Sequence, residues 1–171
     1  MVNPGGKKEA VEKMGTKILS NKFYSQMEKL EPRYPSKVAL LLPALHAAQD
    51  EFGWLPPEVM DELASYIGIH PAQVREVASF YTMYNLKPVG KYHLRFCTNV
   101  ACCLRGSDEL VEHCEKRFGI QCGETTKDKK FTLMEEECLG SCGTAPALML
   151  NDDYYENLDI PKLDQLLDRL E

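Results

Sequence analysis

The stretch from Asn85 to Cys103, NLKPVGKYHLRFCTNVACC, divides the chain into two kinds of sequence. Lys87-Pro88-Val89-Gly90 supplies linker and turn residues, and Tyr92-His93-Leu94-Arg95-Phe96 reads as a strand running into a loop that opens at Cys97. The chain has seven cysteines, and none precedes this point. A secreted disulfide scaffold spreads an even number of cysteines along its length. An odd, clustered set reads as metal ligands or redox groups in a reducing compartment.

Before this stretch the period is helical. Ile18, Leu19, Phe23, Met27 and Leu30 form an apolar stripe at three- and four-residue steps, ending before Pro32 and Pro35. Ser36 is placed to cap a second helix that runs to Phe52 and stops at Gly53, with Pro43 expected to kink it. Pro57, Glu58 and Asp61 suit the start of a third helix that stops at Gly68, and His70-Pro71 starts a fourth carrying Val74, Val77 and Ala78. Four short helices with brief connections predict a helical bundle over residues 16–86. Residues 1–15, rich in charge and containing Gly5 and Gly6, are expected to form a flexible arm.

After it, Ser107 is placed to cap a helix carrying Leu110, Val111, Cys114 and Phe118, stopped by Gly119. Phe131 to Met134 and Ala147 to Leu150 read as strands, and Ile160 to Leu170 as an amphipathic helix with Leu163, Leu166, Leu167 and Leu170 inward. The order strand, helix, possible strand, strand, strand, helix predicts a small mixed sheet with helices against it, a thioredoxin-like arrangement. The whole chain is therefore expected to be α+β, a helical bundle followed by this smaller α/β unit over residues 87–171.

The chemistry lies in two pairs, Cys97-Thr-Asn-Val-Ala-Cys102 and Cys138-Leu-Gly-Ser-Cys142, with 35 residues between them. A [2Fe–2S] cluster needs two thiolates on each iron, which two such loops supply. Gly140 and Gly143 would let the backbone wrap closely, and the N–H groups of Thr98, Asn99, Gly140 and Ser141 could point at sulfur. Four thiolates also satisfy tetrahedral zinc, although its pairs commonly have two-residue spacers. A thiol–disulfide enzyme is disfavoured because no Cys-x-x-Cys follows the first strand, and Rieske ligation because neither loop has a histidine. Cys103 adjoins Cys102, and spacing leaves either as the second ligand of the first loop. Cys114 reads as a core residue on its helix, and Cys122 has no evident partner. The histidines are isolated, with His46 on a helix, His70 at a boundary, His93 in a strand and His113 on a solvated helix face. Trp54, Phe80, Tyr81 and Tyr84 read as packing.

A composition of 44% hydrophobic and 27% charged residues is that of a soluble globular protein, and a net charge of −6 argues against nucleic acid as partner. No apolar run is long enough to span a membrane, and the N-terminal residues lack the apolar core of a secretory signal. The expected location is cytoplasmic. No Gly-rich phosphate loop follows a strand, so no nucleotide site is expected on this chain.

The runs CTNVACCLRG and CLGSCGTAPAL, with LLPALHAAQDEFGWLP and HPAQVREVASFYTMY upstream, resemble the family of E subunits of NADH–quinone oxidoreductase, respiratory complex I. The resemblance covers roughly residues 30 to 155. It implies a thioredoxin-like [2Fe–2S] domain behind a helical domain, with Cys97, Cys102, Cys138 and Cys142 as cluster ligands. Cys103 is then a cysteine that the family pattern does not call for. The resemblance further implies that FMN and NADH sit on a partner subunit, that the cluster exchanges an electron with that flavin, and that other peripheral-arm subunits lie nearby. Such a chain would lie against the inner membrane through its complex, without inserting. An equivalent diaphorase subunit of an NAD-linked hydrogenase or formate dehydrogenase, and a free-standing ferredoxin, are the alternatives.

Overall fold

The computed structural model describes residues 17–170; the arm expected at residues 1–15 lies outside them. The first four helices are α1 (Asn21–Leu30), α2 (Leu41–Phe52), α3 (Pro57–Ile67) and α4 (Pro71–Phe80). Each begins or ends on a local signal. Ser20 accepts the Phe23 N–H at 3.3 Å, and His70 Nδ1 accepts the Ala72 N–H at 3.2 Å. Gly53 and Gly68 terminate α2 and α3 at φ +77° and +84°, a left-handed conformation that costs glycine nothing.

The expected stripe begins too early. Ile18 and Leu19 precede the Ser20 cap, and Ile18 is exposed while Leu19 is buried. Ser36 starts a 3-10 turn, Lys37–Leu40, rather than an α-helix. Pro43 then falls in the first turn of α2, where its missing N–H breaks no ladder, so the expected kink becomes a 3-10 to α transition.

Phe23, Met27, Leu45, Leu63 and Val74 are fully or nearly fully buried in one core. The chain leaving α4 is tied back to α2 through Gln49, whose side chain donates to the Met83 carbonyl at 2.9 Å and accepts the Asn85 N–H at 2.6 Å. Tyr84 is buried and donates to the Leu42 carbonyl at 3.0 Å. Phe80, expected to pack, is instead largely exposed, its ring edge-on to Tyr81.

The second core surrounds a four-stranded sheet of β1 (Tyr92–Cys97), β2 (Phe131–Glu136), β3 (Leu148–Leu150) and β4 (Asp153–Tyr155), in the order β2-β1-β3-β4. β1 and β2 are parallel, and the other pairs antiparallel. Parallel neighbours need a crossover. It contains α5 (Val100–Cys103) and α6 (Ser107–Phe118); α7 (Ile160–Asp168) closes the chain. Leu94, Phe96, Leu133 and Leu148 alternate onto the face where Leu110, Val111 and Cys114 of α6 meet Leu163, Leu166 and Leu167 of α7. Neither α5 nor β4 is signalled by an apolar period, being four and three residues long. Ser107 is not a cap. Gly106, at φ +90°, takes that position, and the Ser107 hydroxyl donates to the Cys97 carbonyl at 2.6 Å. His113 faces α7 rather than solvent alone, with Nε2 2.7 Å from Asp164.

On the opposite face of the sheet, the Gly90 N–H donates to Thr132 Oγ1 at 2.6 Å, and a Cβ at Gly90 would stand 2.9 Å from the backbone of Lys130 and Phe131. His93 is buried nearby. Burial, aided by Arg95, lowers its pKa to about 4. The folded protein therefore binds fewer protons than the unfolded chain between about pH 4 and 6.5, so this stabilisation is present above the window and lost as pH falls through it. Urea titrations at pH 7 and pH 4.5 should show His93→Gln losing on the order of 2–3 kcal/mol of acid sensitivity. Equal sensitivity in parent and variant would contradict this account. No helix among the described residues is long and apolar enough to cross a membrane.

Candidate metal centre

Cys97 is the last residue of β1, and its backbone is held on both sides. Its N–H donates to the Ala147 carbonyl at 3.1 Å, and its carbonyl accepts the Ser107 hydroxyl. The chain then turns at Asn99, whose side chain caps α5 by accepting the Val100 N–H at 2.9 Å. The same amide donates to the Glu137 carbonyl at 2.8 Å, stapling the first cysteine loop to the root of the second. One turn of α5 carries Cys102 inward, where it packs with Cys97, Ala145 and Ala147. The next residue, Cys103, faces elsewhere, with Sγ 3.0 Å from the Thr98 carbonyl and 3.3 Å from Asp108 Oδ1.

The second loop leaves β2 at Glu136. Cys138 and Cys142 are both exposed, with Cys142 opening a 3-10 turn, Cys142–Thr144. Gly140 lies at φ +74°, a conformation that explains the glycine. Gly143 has no such need, and a Cβ there would meet no protein atom within 4 Å, so close wrapping by the chain does not account for it.

The structure places thiols from both loops side by side. The Cys97 thiol lies against those of Cys102 and Cys138, and Cys102 is close enough to Cys142 for their charges to interact. The contacts are pairwise rather than convergent: among the described residues no three His, Cys, Asp or Glu side chains form a group that could hold a single ion. The Gly140 N–H donates to Cys138 Sγ at 3.3 Å, and the N–H groups of Asn99 and Leu139 near Cys97, and of Ala147 near Cys102, favour the thiolate forms. Asn99 and Gly140 were expected among these donors, and Leu139 and Ala147 were not. Thr98 is excluded, because its N–H is taken by the Glu136 carbonyl at 3.0 Å.

Burial alone would raise the Cys97 pKa, but the Asn99 and Leu139 N–H groups and the neighbouring thiols outweigh it, and the net displacement is downward. Burial pushes Cys102 up to about 11, reinforced by Cys97 and opposed by the Ala147 N–H. The hydrogen bond to Asp108 raises Cys103. Cys114 is fully buried in the second core and Cys122 partly so, and burial raises both thiols, to about 12 and about 11. Paired soft donors with N–H groups on their sulfurs are a suitable environment for anionic thiolates on iron, whose charge those N–H groups offset.

The model of the thioredoxin-like [2Fe–2S] ferredoxin family matches residues 27–171. The chain belongs to that family. The NADH-quinone oxidoreductase E subunit of Rickettsia conorii is 44% identical over 165 residues, covering 92% of this chain and 99% of the relative. The E 2 subunit of the Rhizobium meliloti enzyme is 45% identical over 143 residues, 84% of this chain and 85% of its own. Among solved structures, an NAD+-reducing [NiFe]-hydrogenase in its air-oxidised state superposes with a TM-score of 0.69 at 28% identity. That match covers 77% of this chain but only 22% of the hydrogenase chain.

Glu156 braces the second loop from outside it, a role that no spacing rule would find. It follows β4 in sequence, yet its carboxylate accepts the hydroxyls of Ser141 and of Thr144, the latter at 2.5 Å, on either side of Cys142. Those two bonds, Ser141 first, also lower its own pKa. Glu156→Ala should release this loop and shorten the lifetime of the bound cluster in air several-fold, followed by loss of visible absorbance. Glu156→Gln, which can still accept from both hydroxyls, should retain most of that lifetime.

Proposed function

We propose that Cys97 and Cys102 bind one iron and Cys138 and Cys142 the other of a single [2Fe–2S] cluster, and that this chain is the electron-transfer subunit of an NADH–quinone oxidoreductase, exchanging single electrons with FMN on an NADH-binding partner subunit. The observation that carries the proposal is the meeting of the two cysteine loops, with the Cys97 thiol beside Cys138 and the Gly140 N–H on Cys138. The 44% identity to an E subunit along 99% of its length favours the respiratory complex over the hydrogenase, which this chain matches at 28%. The cluster, when bound, supplies a one-electron couple.

The remaining tasks fall to the chain's own side chains and backbone. Asn99 joins the two loops, the N–H groups offset thiolate charge, and Cys102 and Ala147 keep water from one side of the pair. Cys138 and Cys142 face outward, where an electron can reach a partner. α5 and the residue that follows it expose Val100 and Leu104, 70% and 81% accessible, an apolar edge suited to being covered by a protein. FMN and NADH are assigned to that partner, which with other peripheral-arm subunits would hold the chain at the cytoplasmic side of the inner membrane. We place the boundary between helical and cluster domains at residues 86/87, consistent with separate cores ending at Tyr84 and beginning at Leu94.

The test is colour and composition. Anaerobically purified protein should be red-brown, contain iron and acid-labile sulfide in equal amounts, and give a rhombic EPR signal on reduction. Colourless protein loaded with zinc would refute the assignment. For the partner, Val100→Asp combined with Leu104→Asp should leave the cluster intact and weaken retention of the flavoprotein in affinity purification by at least roughly tenfold, as loss of a buried apolar contact predicts.

A further inference from the structure

Cys102 and Cys103 are chemically the same ligand one residue apart, and both donate their N–H to the Asn99 carbonyl at 2.9 Å. Neighbours on a helix point about 100° apart, so one turn of α5 can present either but not both to the facing loop. The structure presents Cys102 to Cys97, Ala145 and Ala147. Cys103 is instead held in a slot between two acceptors, the Thr98 carbonyl at 3.0 Å and Asp108 Oδ1 at 3.3 Å. Asp108 reaches it from the first turn of α6, the turn whose Ser107 also holds the Cys97 carbonyl.

We infer that Asp108, acting with the Thr98 carbonyl, is the positioning residue that holds Cys103 away from the cluster and so selects Cys102 as its ligand. This rests on the four-cysteine reading above. A cysteine thiol has one proton to donate, and either acceptor alone can take it; together they bracket the sulfur and disfavour its rotation toward the other loop. Removing the carboxylate opens one side of the slot. Cys103 could then reach iron when position 102 offers only a hydroxyl: one Fe–S bond would form, the Fe–O bond to the serine would break, the thiol proton would pass to the displaced serine oxygen, and no electron would be transferred.

The test uses the full chain, loaded with iron and sulfide and read by visible absorption and by EPR of the reduced state. Cys102→Ser should lose the all-thiolate spectrum. Adding Asp108→Ala should restore it, and adding Cys103→Ser to that double variant should abolish it again. In the otherwise unaltered protein, Asp108→Ala should raise the rate of Cys103 alkylation at least tenfold, located by peptide mapping, whereas Asp108→Asn, whose amide oxygen still accepts, should not. The inference is overturned if Cys102→Ser alone retains an all-thiolate spectrum through Cys103. It is equally overturned if the double variant, folded by circular dichroism, recovers nothing, or if Asp108→Ala leaves alkylation at the parental rate. A parent chain that binds no iron or sulfide overturns the cluster assignment and this inference with it; an iron-loaded parent with unresponsive Asp108 variants overturns this inference alone.

Discussion

Cys97→Ala should bring iron and acid-labile sulfide to background while leaving the helical domain folded. Among the four candidate ligands Cys97 is the one whose thiol lies against a member of each loop, Cys102 in its own and Cys138 in the other. It is nearly inaccessible, and its backbone is pinned by the Ala147 carbonyl and the Ser107 hydroxyl. Its loss would also leave Cys102 buried beside a gap, in surroundings that already disfavour its ionisation. The controls are Cys114→Ala and Cys122→Ala, which lie in the second core and should keep the cluster. Iron and sulfide assays with circular dichroism separate the two outcomes. A Cys97→Ala protein that remained red-brown with full iron would disprove the ligand assignment.

Phe96→Ala should be the most damaging change outside the cysteines. Phe96 is fully buried in β1, one residue before Cys97, at the centre of the contacts between the sheet and α6 and α7. Truncating a buried phenylalanine removes its transfer free energy and leaves a cavity, together costing about 3–5 kcal/mol. Against a total stability of about 5–15 kcal/mol, that is enough to unfold much of a small sheet domain at physiological temperature. Because β1 carries Cys97 and the carbonyl that holds Ser107, cluster retention should fall with it. Denaturant unfolding gives the stability change, read as a lower midpoint at unchanged slope. A loss below about 1 kcal/mol would mean that the core collapses around the site far better than such cores usually do.

The two changes test different layers, and the sequence announces them unequally. The helical bundle is legible because its signals are local: apolar steps of three and four, Pro57 and Pro71 at first helical positions, Gly53 and Gly68 beyond the last. The strands Tyr92–Cys97 and Phe131–Glu136 are legible because Leu94 and Phe96, and Phe131 and Leu133, recur at every second position. Reading failed where a short-range pattern had two outcomes. Ser36 and Ser107 both have the composition of a cap, and the first opens a 3-10 turn while the second donates to Cys97. His113 has charged neighbours one helical turn away, Glu109 and Arg117, but it bonds Asp164, 51 residues on, which no local pattern announces.

Spacing and residue type alone set out two thiol pairs, a helical unit before them, and a sheet that carries them. Those features depend on neighbours within a few positions, so the linear order records them. Tertiary structure decided which of the adjacent cysteines, Cys102 or Cys103, turns toward the other thiols, since that rotation is set by Asp108 from α6 and by Ala145 and Ala147 from beyond the second loop. It also decided that the N–H groups of Leu139 and Ala147 meet sulfur, and that Glu156 braces Ser141 and Thr144. Apart from Cys103–Asp108, five residues apart, these contacts join segments whose separation in sequence carries no period. The free energy that brings them together comes from burying Leu94, Phe96 and Leu133 under α6 and α7, not from the loops that make the site.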